Sequence, residues 1–381
     1  MITTALFGSG VSYVSEIPGI ATITEKVLSG DNVGRQADSI YYIGSGQPYL
    51  QQKVAECINL IKHIHDDIAN FYTLIQEDHA VNYEDIYYVL KQINDSFNLE
   101  FENPAINSLI EKLQANEDFS NGKLRDVARE AIKYIECIVW QMISYRKFTF
   151  DQFDIIIDLF KELNLKNIVS LNHDTVLDTY LQNRNVDYYD GFNYTEYKFP
   201  QWLGFENAPP NIINFLKLHG SIDWFEVGVL KPQRGNEIFK LPNDIYIQAV
   251  HHEDEKFWGT TDGTPKILVG TFNKMLGYLS GIFEILYDLF KGKLKESNIL
   301  IVSGYGFGDK GINTQLSNWL NYESSIKMII IHPNKNELIL KSRGNFRINI
   351  MNEDTIHPKV RLIQKKFEDV KLEEILNEVN N

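Results

Sequence analysis

The chain has 381 residues, 23% charged and 44% apolar, with 51 acidic against 37 basic side chains and a formal net charge of −14. That length suits two or three average domains, or one large α/β domain with an insertion. The acidic balance, with no basic stripe, argues against direct binding to a nucleic-acid backbone, and no apolar run approaches the length of a bilayer span.

Residues 2–7 read as a short buried strand starting directly after Met1, which leaves no room for a signal peptide and predicts a cytoplasmic protein. Gly8-Ser9-Gly10 makes a tight turn, and 18–28 suits a helix with Pro18 in its first turn. A second short strand is predicted at 39–43, ending at Gly44-Ser45-Gly46. Val54, Ile58, Ile61, Ile64 and Ile68 then recur at helical spacing, as do Ile132, Ile135, Ile138, Val139, Met142 and Ile143. Segments 83–93 and 107–113 also read as helical. Residues 51–150 are therefore predicted as a helical insertion of about a hundred residues, within a domain made of 1–50 and 151–381. Its Cys57 and Cys137, set among aliphatic residues, are expected to be buried and inert. Two cysteines are too few for a disulfide framework or a four-thiolate zinc site.

Beyond 150 the spacing predicts a helix at 155–163, a strand at 167–171, a helix at 175–181 capped by Asp174, and a strand at 212–218. Residues 225–265 read as irregular, with one strand at 245–250, and a further strand is predicted at 266–269. A long helix follows over 276–294. Aliphatic strands at 298–303 and 328–331 flank a helix at 312–320, and a short strand and helix end the chain. Short continuous apolar strands alternating with helices predict an α/β fold: a Rossmann-like parallel sheet with helices on both faces.

Four strand ends carry polar groups. Gly8-Ser9-Gly10-Val11-Ser12, between strand and helix, can bring backbone N–H groups to a pyrophosphate, or serve only as a turn. The third glycine of the usual dinucleotide fingerprint is replaced by Tyr13, which disfavours an ordinary dehydrogenase. Asn172 can orient a ribose hydroxyl or a water and Asp174 can accept from a carboxamide, although Asn-x-Asp equally suits a turn into a helix. His219, before Gly220-Ser221, can take a proton near neutral pH, or be a structural histidine. Ser303-Gly304-Tyr305-Gly306-Phe307-Gly308-Asp309 lets backbone pass close to a ribose or phosphate, with Asp309 also able to cap the next helix. His63-x-His65 points apart on a helix, and His251-His252-Glu253-Asp254 reads as a solvated loop, so no metal site is assigned.

In this order the four segments resemble the sirtuin family. They are more similar still to the large bacterial sirtuin-like group of anti-phage defence systems, in Asn-His-Asp, Leu-His-Gly-Ser and Gly-Tyr-x-Phe-x-Asp. The resemblance spans roughly residues 1–50 and 150–335. It implies NAD as substrate, with Gly8, Gly10, Ser12, Ser303, Gly304, Tyr305 and Asp309 binding it. It also implies that Asp174 holds the carboxamide, Asn172 positions water or a ribose hydroxyl, and His219 is the general base. The four zinc-binding cysteines of the family's protein deacetylases are absent. The arginine and phenylalanine of its flexible loop are absent too, Gly19-Ile20-Ala21-Thr22 standing after Pro18. The expected activity is therefore hydrolysis of NAD to nicotinamide and ADP-ribose, depleting NAD in anti-phage defence. The alternatives are a deacylase without the zinc module and a non-enzymatic NAD or ADP-ribose sensor or interaction module. The resemblance further implies a homo-oligomer, with a HerA-type ATPase or other sensor protein as partner.

Overall fold

The computed structural model describes residues 1–44, 51–75, 80–98, 103–120, 122–144, 149–229, 235–242, 256–260, 263–270, 273–322 and 325–381. The chain divides into two compact units: Met1–Ile17, Arg146–Leu268 and Lys274–Asn381 form the first, and Pro18–Tyr145 with Val269–Asn273 the second.

In the first unit seven parallel strands form one sheet among the described residues. Their order is Val360–Ile363, Lys327–Ile331, Ile299–Ser303, Thr3–Phe7, Leu165–Ser170, Ile213–Lys217 and Tyr188–Tyr189. The central strands are apolar and buried on both faces, as a sheet covered by helices on both sides requires. Leu6, Val169, Leu216, Leu300 and Val302 pack with Leu286 and Phe290 of helix Gly281–Glu296 and with Ile312 and Leu316 of helix Lys310–Leu320. On the opposite pleat, Phe7 meets Phe153 and Phe367 edge-on.

From Thr3–Phe7 the sheet grows in opposite directions: through Leu165–Ser170 on one side and Ile299–Ser303 on the other. Such a reversal opens a crevice at the carboxyl ends, the usual ligand position of an open α/β sheet. The register aligns these ends in one row, with Phe7 paired to Ser303 and to Ser170, and Ser170 paired to Lys217. The four polar segments leave the sheet from that row.

Several expectations need correction. The 225–265 segment expected to be irregular contributes Trp224–Val229, Gly235–Lys240 and Phe257–Thr260 to an antiparallel five-stranded sheet, completed by Gln201–Trp202 and Phe192–Asn193. Its core holds Trp224, Phe239 and Phe257 fully buried. The strand expected at 266–269 is a single bridge, Gly220 to Ile267. The 276–294 helix is two, Asn273–Gly277 and Gly281–Glu296, and Tyr278 lies in the break. The expected strand at 245–250, Ser45-Gly46 and the His251–Asp254 run lie outside the described residues.

In the second unit, helices Ile20–Ser29, Gln51–Leu74, Tyr83–Asn98, Asn107–Gln114 and Lys123–Ile143 enclose an apolar core that includes Leu60, Ile86, Leu90 and Ile135. Tyr41–Ile43, expected as a second strand of the sheet, instead pairs antiparallel with Val33–Arg35 here. Glu130 binds Arg35 at 2.8 Å and the Tyr41 hydroxyl at 2.7 Å, fixing this hairpin. Burial pushes the Cys57 and Cys137 thiols up to about 12, so neither is a thiolate at neutral pH. Among the described residues no helix is long and apolar enough to cross a membrane.

Candidate active site

Two glycine-containing loops meet where the sheet reverses. Gly8 N–H donates to the Ser303 carbonyl at 3.0 Å, and Gly10 N–H to the Gly304 carbonyl at 2.9 Å. A Cβ on Gly304 would stand 2.5 Å from Val11 N, and one on Gly10 would stand 2.7 Å from Gly304 Cα. These glycines are demanded by contact between the two loops, and Gly304 also by its φ of +64°. Gly306 and Gly308, by contrast, would meet nothing within 4 Å if substituted. That stretch of backbone is the open one. Tyr305 turns inward, its hydroxyl donating to Asn313 Oδ1 at 2.9 Å and accepting from Asp309 N–H at 3.2 Å, so it closes its own loop. The Ser303 hydroxyl is buried near the Ile331 carbonyl, 3.4 Å away.

Ser12, Asn172 and Asp174 form one buried cluster. Asp174 Oδ1 accepts from Val176 N–H at 3.0 Å, but Thr175, in place of the expected Asp174, is the N-cap of helix Val176–Asn183. The Ser12 hydroxyl accepts from Asn172 Nδ2, 3.1 Å away. Asn172 Oδ1 is buried and has no partner among the described residues. Burial pushes Asp174 above the usual carboxylate range, against the pull of Lys217, Val176 N–H and Ser12.

Beneath this loop lie charges that sequence reasoning left unassigned. Lys217, fully buried, donates to the Asp174 carbonyl and pairs with Asp178 at 2.8 Å. Lys240 pairs with Asp190 and stands 3.7 Å from Asp178, and Asp223, raised by burial, completes the group. Buried charges persist when paired in this way. A lysine inside an apolar strand was the available signal.

The third cluster surrounds His219. Leu218 N–H donates to the Ser170 carbonyl, and Leu268 N–H to the His219 carbonyl, which clamps the turn from both sides. Gly220 has φ +79°, and a Cβ there would fall 2.0 Å from the Lys266 carbonyl oxygen, so no other residue fits beside His219. The ring lies 3.0 Å (Nδ1) from the Leu171 carbonyl and 2.7 Å (Nε2) from the Tyr278 hydroxyl. Asp309 Oδ2 stands 3.3 Å from Nε2 and accepts from Tyr278 at 2.9 Å. Asp309 Oδ1 accepts from Ile312 N–H at 3.0 Å, capping helix Lys310–Leu320. Burial would raise Asp309, but His219, Lys274 and the Ile312 N–H outweigh it and hold the carboxyl down to about 2. Tyr278 was hidden in the sequence by the apparent continuity of the 276–294 helix.

The structure thus joins Ser12 to Asn172 and Asp174, His219 to Asp309, and Gly8 and Gly10 to Gly304. Tyr305 and Ser303 serve their own loop and strand end. Among the described residues no group of three His, Cys, Asp or Glu side chains is placed to share a metal ion.

In sequence, no curated protein matches the chain. Over the whole chain, the structure is similar to that of a Sir2 homologue–NAD complex, with 12% identity and a TM-score of 0.39, covering 89% of that chain. It is also similar to a Sir2 homologue mutant in complex with ADP-ribose, with 11% identity and a TM-score of 0.41, covering 92% of that chain. A third likeness is to Sir2 bound to acetylated peptide, with 10% identity and a TM-score of 0.36, covering 97% of this chain and 89% of that one. Residues 166–348 match the family model of the SIR2-like domain, and that stretch holds Asn172, Asp174, Lys217, His219, Tyr278, Ser303 and Asp309.

Proposed function

We propose that this chain binds NAD at the carboxyl edge of its parallel sheet and hydrolyses the bond between nicotinamide and ribose. The products are nicotinamide, ADP-ribose and one proton. The observation that carries the reading is Asn172 Oδ1, a buried acceptor without a partner among the described residues, in the stretch similar to the SIR2-like domain. Leaving such a group unpaired costs roughly 1–3 kcal/mol, and a ribose hydroxyl or a water supplies the missing donor.

The chemistry asks little acid catalysis, because the nicotinamide of NAD leaves from a cationic state and the transition state has oxocarbenium character. Asp174 retains lone pairs beyond the one used by Val176, and these receive the carboxamide N–H groups. Asn172 Oδ1 orients the attacking water, which adds to the ribose carbon as nicotinamide departs. His219 Nε2 takes the proton the water loses, its tautomer set by the Nδ1 contact with Leu171. The open backbone at Gly306 and Gly308 offers N–H groups to the pyrophosphate.

Hydrolysis is favoured over deacylation because both cysteines are buried in the helical unit, leaving none for a zinc module. The likeness of its motifs to the defence group extends the proposal to NAD depletion during phage infection, in a homo-oligomer working with a HerA-type ATPase or other sensor. Chromatography of NAD incubated with the purified chain, with and without an acetylated peptide, tests the reading. Nicotinamide and ADP-ribose released without peptide are expected. Turnover only with peptide would make the chain a deacylase, and binding without turnover a sensor.

A further inference from the structure

The protons around His219 can be counted. Nδ1 faces the Leu171 carbonyl, which only accepts, so Nδ1 carries a hydrogen. On the other side, Nε2, the Tyr278 hydroxyl and Asp309 Oδ2 form a triangle with sides of 2.7, 2.9 and 3.3 Å. With a neutral ring, Tyr278 has one proton for two acceptors. Given to Nε2, it leaves the carboxylate facing hydroxyl lone pairs. Given to Asp309, it leaves the Nε2 lone pair facing them. A proton on Nε2 resolves both, since Nε2–H donates to Tyr278 and Tyr278 O–H donates to Asp309.

We propose that Tyr278 and Asp309 are positioning residues that hold His219 as the imidazolium in the resting protein, so that Nε2 becomes a base only when the Tyr278 hydroxyl leaves it and the Nε2 proton passes to solvent. Both partners are anchored. The Tyr278 ring stacks on Tyr287 at 4.3 Å and 10°, and the Tyr287 hydroxyl donates to the Gly311 carbonyl. Asp309 is tied to Ile312 N–H through its other oxygen.

Among the described residues the surrounding charges act in both directions. Asp309 comes from the 303–309 loop, Tyr278 and Lys274 from the helix and turn at 273–280, and His173 from the 171–174 loop, with Lys217 on the adjacent strand. Burial first, then Lys274, His219 and Lys217, holds His173 well below the ordinary histidine range, so it adds no charge at neutral pH. Lys274 opposes the imidazolium. Asp309, ionised and 3.3 Å away, favours it.

The catalytic consequence rests on the NAD-cleaving reading, whereas the protonation state does not. Imidazole nitrogen NMR of the full chain against pH, with His219 assigned through His219→Gln, reads that state directly. The wild-type ring is expected to be protonated at pH 7, and its proton affinity to fall about tenfold or more in Asp309→Asn. Asparagine can still cap Ile312, so the fold is retained. Tyr278→Phe, which preserves the ring stack, lowers the affinity less. It also moves the pH–rate profile for NAD cleavage to lower pH, a change that loss of packing alone would not produce. A neutral ring in the wild type at pH 7, or an unchanged titration in Asp309→Asn, overturns the proposal. Expected titrations in a chain that never cleaves NAD would support the latch and overturn the NAD-cleaving reading.

Discussion

The Asn172 and His219 clusters leave the same row of strand ends and are joined through Leu171, whose N–H donates to the Phe7 carbonyl and whose carbonyl faces His219. In the first, Ser12 accepts from the Asn172 amide nitrogen and Val176 N–H donates to Asp174, yet Asn172 Oδ1 has no partner among the described residues. In the second, Tyr278 and Asp309 close on Nε2. One cluster is therefore short of a donor, while the other is saturated. A site that binds through the first and reacts through the second has to trade the Tyr278 contact for one to substrate. Binding and proton transfer are then separable properties of neighbouring residues, and substitution can separate them.

The largest effect is expected from His219→Ala, which should lower NAD turnover by about 10²–10⁴-fold with little change in NAD affinity. Asn172→Ala should weaken both affinity and turnover, because it removes the bare acceptor and the Ser12 contact together. Titration calorimetry beside the turnover assay separates the two, and equal loss of affinity in both variants would break the division of roles.

Lys217→Met probes the ground beneath the first cluster. It leaves Asp178 with only the longer 3.7 Å contact to Lys240 and releases the Asp174 carbonyl, so a loss of about 3 kcal/mol is expected in urea unfolding. A change below about 1 kcal/mol would show that the pair does not support the loop.

Gly304→Ala should cost about 1–3 kcal/mol, because it strains a left-handed residue and drives a methyl against Val11 N and the Gly8 carbonyl. Gly306→Ala should stay within about 0.5 kcal/mol in stability, yet weaken NAD binding if that backbone meets the pyrophosphate. Equal stability costs at both positions would contradict the distinction between a packed and an open glycine.

The last effect concerns acid and appears only below neutral pH. Asp309 is held down to about 2 against an ordinary value of 3.8, so its ionisation stabilises the fold above the unfolded value. That contribution, about 2 kcal/mol, is lost as pH falls from near 4 through 2. Asp309→Asn should flatten the acid limb of the wild-type stability curve, and superimposable limbs would argue against the His219–Asp309 pair.

Much of the parallel sheet was legible because buried strands are short, continuous and aliphatic, as at Ile299–Ser303 and Lys327–Ile331. The second sheet was not. Its edge strand Phe192–Asn193 and the neighbouring Gln201–Trp202 are two residues long, and Gln201 finds its partner at Phe239, a pairing no local pattern records. Within Trp224–Val229, Glu226 and Gly228 interrupt the apolar run. The site was visible as separate strand ends, while the links between them were not. That Ser12 meets Asn172, or that Asp309 turns from its helix cap to His219, depends on register between distant strands. Tyr278 was masked because Leu276, Tyr278 and Leu279 continue an apolar helical pattern, with Ser280-Gly281 the only sign of the break.

The measurement that bears most directly on the account is NAD turnover by the purified full chain, without peptide, beside Asn172→Ala and His219→Ala of unchanged melting temperature. Release of nicotinamide and ADP-ribose by the wild type is expected, with a fall of at least about 10²-fold in each variant. Near wild-type turnover in both variants would contradict it.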